Sequence, residues 1–92
     1  MAMSGQKVVT TAGTAVQLGT QSIQGPLMVK AKLSNTEPVV IGNDGAGDVT
    51  VDNGYLLNTG DSIEFAWVGS LATLWLDSVA DGEGVYWIAL NV

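Results

Sequence analysis

Apolar and polar side chains alternate with a period of two along most of this chain, and no stretch repeats apolar residues at helical spacing. Leu27, Val29, Ala31 and Leu33 fall on one face of a strand, with Met28, Lys30 and Lys32 on the other. Ile63, Phe65 and Trp67 likewise oppose Ser62, Glu64 and Ala66, and this reading assigns Trp67 to the core face. The spacing predicts strands at 6–11, 14–18, 27–33, 38–41, 48–51, 62–68, 72–77 and 85–91, with a shorter one at 55–57. Turn chemistry separates them: Asn43-Asp44-Gly45, Asp52-Asn53-Gly54 and Asp81-Gly82 are hairpin or loop sequences. Pro38 belongs at a strand start or an edge, because proline has no N–H to give to a ladder. The expected fold is all-β: a single small antiparallel β-sandwich or jelly-roll-like barrel of about eight short strands. Residues 1–5 read as a flexible arm and 6–92 as one domain.

The last two predicted strands depart from the one-wet-face pattern. Leu74 and Leu76 oppose Trp75, and Val85, Trp87 and Ala89 oppose Tyr86, Ile88 and Leu90, so both faces are apolar. A two-layer sandwich buries only one face of each sheet, which leaves the other to a covering loop or to another subunit. In 92 residues, of which 47% are hydrophobic and 13% charged, there is one small core and little spare chain for covers. Trp75, Tyr86, Ile88 and Leu90 are therefore candidate oligomer or partner contacts, with Trp75 or Tyr86 as a flat amphipathic anchor. The alternative cover is the 21–25 segment or the N-terminus.

Composition narrows the function classes. The three lysines, Lys7, Lys30 and Lys32, precede all nine acids, and the net charge is −6. Three lysines without arginine do not make the basic footprint that nucleic acid requires. There is neither an apolar run of membrane-spanning length nor a signal-peptide pattern, so the chain reads as soluble, with no membrane partner. Histidine, cysteine and arginine are absent, which removes the usual neutral-pH base, the thiolate nucleophile and the bidentate anion clamp. The expectation is a protein that is not an enzyme and carries no cofactor.

Three chemical alternatives stand beside this. Asp61 with Glu64, or Asp77 with Asp81, are nominal carboxylate pairs for glycoside hydrolysis, in a chain with little mass to enclose a sugar. Asn43, Asp44, Asp48, Asp52 and Asn53, and separately Asp77, Asp81 and Glu83, offer oxygen ligands for calcium, without a known calcium-loop spacing. Trp67, Trp75, Trp87, Tyr55 and Tyr86 offer rings for stacking on sugars. Turn formation and solvated faces account for most of the acids without any of these roles.

Asn35-Thr36, Val39-Val40-Ile41-Gly42, Gly54-Tyr55-Leu56-Leu57 and Gly60-Asp61-Ser62-Ile63-Glu64-Phe65 follow one another in an order that resembles small β-rich structural proteins of tailed bacteriophages. Leu74-Trp75-Leu76-Asp77 and Val85-Tyr86-Trp87-Ile88 look like the closing hairpin of the same sandwich. The resemblance spans about the last two-thirds of the chain, through turn and strand patterns that recur in many β folds. It implies a head-decoration (cement) protein that binds the outside of an assembled capsid, with the major capsid protein as partner. It further implies a location on the virion surface after synthesis in the host cytoplasm, and assembly as a homo-oligomer, trimer or dimer. A tail or fibre-associated module and a lectin-like domain are the alternatives. The N-terminal segment 1–7, including Lys7, is expected to order on contact with the shell.

Overall fold

A computed structural model describes residues 1–44 and 49–91. The strands are β1 (Met3–Val8), β2 (Val16–Gln17), β3 (Leu27–Ala31), β4 (Val39–Gly42), β5 (Tyr55–Leu57), β6 (Ser62–Phe65), β7 (Trp75–Ser78) and β8 (Gly84–Ala89), with a 3-10 turn at Leu71–Thr73. They form two four-stranded antiparallel sheets, β1-β8-β3-β6 (sheet A) and β2-β7-β4-β5 (sheet B). Every connection except β4 to β5 passes from one sheet to the other. That strand order is the jelly-roll connectivity, a double-sheet sandwich of eight strands.

Alternation explains which side chains fill the space between the sheets. Leu27, Val29 and Ala31 of β3, with Val85, Trp87 and Ala89 of β8, point inward from sheet A; Val39, Ile41, Leu57 and Leu76 meet them from sheet B. Each fully buried Leu or Val contributes about 1.5–3 kcal/mol relative to exposure. Gly5 sits opposite Trp87 in the β1–β8 pairing, and a Cβ at Gly5 would lie 2.7 Å from Trp87 Cζ2. The missing side chain is the slot that the indole occupies.

Several predicted boundaries move. The arm assigned to 1–5 gives Met3, Ser4 and Gly5 to β1, where they pair with Ala89, Ile88 and Trp87. Of the strand expected at 48–51, Asp48 lies outside the described residues and the rest is a tight turn. There the Thr50 N–H donates to the Asn53 carbonyl at 2.7 Å, and the Asn53 N–H donates back at 3.0 Å. That turn returns Val49 onto β4: Val49 is buried, and its Cγ2 would be 2.8 Å from a Cβ at Gly42. The strand expected from Ala72 begins instead at Trp75, because Ser70 Oγ accepts the Ala72 N–H and folds 71–73 into the 3-10 turn. Leu33 and Trp67 are not core residues. Their strands end at Ala31 and Phe65, and the two side chains are 69% and 68% exposed. Trp67 lies over Gly69, where φ is +86° and a Cβ would be 2.8 Å from Trp67 Cη2.

The crossovers are tied down by buried polar side chains. Asn35 Nδ2 donates to the Gly84 carbonyl at 2.8 Å and Asn35 Oδ1 accepts the Gly84 N–H at 2.9 Å, so one side chain serves as a strand partner at the start of β8. Beside it, Glu83 Oε2 accepts the N–H groups of Thr36 and Glu37, both at 2.6 Å.

A candidate association face on sheet A

The register of sheet A sets its outward side chains in two rows that run across the strands. One row is Gln6, Tyr86, Lys30 and Ser62; the other is Ser4, Ile88, Met28 and Glu64. Tyr86 and Ile88 occupy β8, a central strand flanked by β1 and β3, yet they are 42% and 39% exposed. Leu90 continues their alternation one residue past the strand end and is 45% exposed, its N–H held by the Pro26 carbonyl at 2.9 Å. The middle of an antiparallel sheet face is where solvent normally meets polar side chains, so an apolar strip there is the exception that needs a cause.

Between the rows runs a shallow groove of about 590 Å³; Ser4, Ile88, Met28 and Glu64 border it from one row and Tyr86 and Lys30 from the other, with Gly5, Trp87 and Ile63 at the positions between. Tyr86 is braced from one side. The Lys32 ammonium lies 5.5 Å from its ring centroid, in cation–π range, and donates to Gln6 Oε1. Bracing reduces the entropy that the ring would lose on contact, which suits an aromatic anchor.

The five contact residues read from the sequence do not form one surface. Tyr86, Ile88 and Leu90 share the outer face of sheet A. Trp75 lies in β7 of sheet B, where it alternates with core-facing Leu76 and so points away from the other side of the molecule. Lys7 pairs with Val85 and therefore turns toward the core side at the edge of sheet A. The outer face of sheet B is largely covered from within. Val40 and Val49 are buried there, and the loop between β1 and β2 donates the Gly13 N–H to Asp77 Oδ1 at 2.9 Å. Of the two doubly apolar strands, β7 is thus covered by its own chain, while β8 keeps its outer face exposed. Met28, Lys30, Glu64 and Ser4 join the site without having been singled out; their outward facing was readable from alternation, but the order in which β1, β8, β3 and β6 lie side by side was not.

Four of the acids considered for chemistry, Asp61, Asp77, Asp81 and Glu83, hold backbone. Asp77 Oδ1 accepts the N–H groups of Gly13 and Ser78, Asp81 Oδ1 accepts that of Ala12 at 2.7 Å, and Asp61 Oδ2 accepts that of Asn58 at 3.0 Å. Glu83, the third member of the second calcium set, is committed to Thr36 and Glu37, away from the loop that Asp77 and Asp81 hold. Asp52 and Asn53 belong to the turn on Thr50, whose Oγ1 accepts both of their N–H groups. Among the described residues, no three acids gather as metal ligands; Asp48 of the first calcium set lies outside them. The aromatic residues are spread as well. Trp87 is buried, Trp67 lies over its own loop, Trp75 and Tyr86 are on opposite sheets, and Tyr55 borders a separate cleft of about 290 Å³ with Ile63, Phe65 and Leu74. Among the described residues, no helix is long and apolar enough to cross a membrane.

No known family model matches the chain, and no curated protein is significantly similar to it.

Proposed function

We propose that this chain is a non-enzymatic structural module that acts through surface association, and that it decorates and stabilises the outside of an assembled phage head. The observation that carries the association reading is the exposed strip of Tyr86 and Ile88 on the central strand β8, continued by Leu90 just past its end, beside a groove that Met28, Lys30 and Glu64 also line. The engagement of Asp61, Asp77, Asp81 and Glu83 with loop amides supports a structural rather than a chemical use of the acids. The head itself is suggested by the turn-and-strand resemblance. The jelly roll is a fold that capsid domains use, although lectins use it too, and a fold alone does not fix a function.

Such a protein works by mass action. It binds the assembled lattice in preference to free subunits, so each site stabilises the lattice by RT ln(1 + L/Kd), with L the concentration of free decorating protein. A decorating unit that presents more than one copy gains avidity on a repeating shell. The test is cosedimentation with empty heads assembled from the major capsid protein of the same genome. Binding together with a raised melting temperature of the heads is the expected result. Absence of binding at saturating protein, or binding to isolated glycans or purified tails instead, overturns it.

A further inference from the structure

We infer that the outer face of sheet A is covered by a second copy of the same chain, docked about a two-fold axis that runs across the strands between the two rows. A rotation about that axis keeps each strand over its own counterpart and exchanges the rows. Tyr86 of each copy then lies over Ile88 of the other, and Lys30 over Met28. Glu64 is one strand over from Met28, so it comes within about 4.8 Å laterally of the incoming ammonium. The contact is isologous: both the Tyr86–Ile88 and the Lys30–Glu64 pairs form twice. An axis parallel to the strands would set Tyr86 over Lys30 and leave Glu64 facing Ser4, with no ion pair.

Charge selects a copy of this chain as the occupant. With a net charge of −6 the molecule repels itself over most of its surface. The face of sheet A is different: Lys30 and Lys32 stand there with Glu64 as the one acid in the two rows, and the geometry above places opposite charges together. Size sets the strength. Four strands about 4.8 Å apart and up to six residues long, at about 3.3 Å each, make a platform about 19 by 20 Å. That is small for an interface, in the size class of weak and transient complexes. The inference rests on the association reading of this face and not on the head as partner.

The test is sedimentation velocity on the free protein from about 1 to 500 µM, a range that brackets micromolar association. Wild type is expected to shift from monomer to dimer and no further. Ile88→Glu should remain monomeric throughout, and Lys30→Glu and Glu64→Lys should each weaken self-association by about tenfold, since each reversal sets like charges together twice. The decisive sample is the equimolar mixture of the two reversed variants. In a Lys30→Glu with Glu64→Lys heterodimer both pairs become attractive again, so the mixture should dimerise at concentrations about tenfold below those that either variant needs alone. A regained dimer is not a result that misfolding produces, and wild-type thermal melts of the variants provide a second control. Wild type that stays monomeric, Ile88→Glu that still dimerises, or a mixture no better than its components overturns the inference. The experiment uses no heads, so a protein that dimerises as described but ignores heads counts against the decoration reading alone.

Discussion

Glu83 shows how a single residue can be legible in kind and illegible in role. Its sequence context, Asp81-Gly82-Glu83-Gly84, marks a turn, and a carboxylate near a turn reads equally well as a cap, a solvated charge or a ligand. What decides among these is the pair of amides at Thr36 and Glu37, which are remote in sequence and reach Glu83 only through the fold. Removing the carboxylate strands two N–H groups beside a side chain that is only 7% exposed. Glu83→Ala should therefore cost about 2–4 kcal/mol in urea unfolding, and Glu83→Gln clearly less, because the amide oxygen still accepts. Asn35→Ala removes both bonds to Gly84 and should cost about 2–3 kcal/mol. The two residues flank the same strand start, so the double variant should fall short of the sum of the single costs. A full sum would show that Asn35 and Glu83 hold the crossover independently.

At the level of elements, β1 is the instructive case. Met3-Ser4-Gly5-Gln6 has no alternating apolar residues, and Ser and Gly do little for a strand by themselves, so nothing local announces one. The pairing comes from β8, whose exposed ladder edge needs a partner and whose Trp87 needs the space above Gly5. The opposite error, at Val49–Val51, has the same origin: an alternating pattern suited to a strand is overridden by the mutual hydrogen bonds of Thr50 and Asn53. Patterns such as 27–31 and 85–89, with strong inward apolar positions, were readable because burial and alternation agree. Truncation separates the arm from the strand. Deleting Met1 and Ala2, which precede β1, should leave thermal stability unchanged, whereas deleting residues 1–5 removes half of β1 and uncovers the Trp87 indole. The longer deletion should lower the melting temperature by several degrees, about 4–8 °C per kcal/mol lost in a domain of this size. Hydrogen exchange would check the cause, since amides of β8 should lose protection on the β1 side only.

At the scale of the whole molecule, the sheet order was not legible because turn signals fix only neighbours in sequence. Among the described residues, β4 and β5 are the sole consecutive strands that are also neighbours in a sheet, and the other ladders between strands join ones brought together by crossovers. Alternation told which side chains face inward, but not that β8 would lie between β1 and β3, and that placement is what sets Tyr86 and Ile88 beside Lys30 and Met28. The same connectivity bears on kinetics. β1 must find β8 across nearly the full length of the chain, and β3 must find both β6 and β8, so much loop entropy is lost before most of the ladder forms. Refolding from urea should therefore take about milliseconds to seconds, the range of β-sandwiches, and not microseconds. Trp87 is a natural reporter, being buried, while Trp67 is mostly exposed. A Trp67→Phe, Trp75→Phe background leaves Trp87 as the one indole of the chain, and stopped-flow fluorescence then follows closure of the β1–β8 region. A microsecond phase with full amplitude would mean that these long-range ladders do not limit folding.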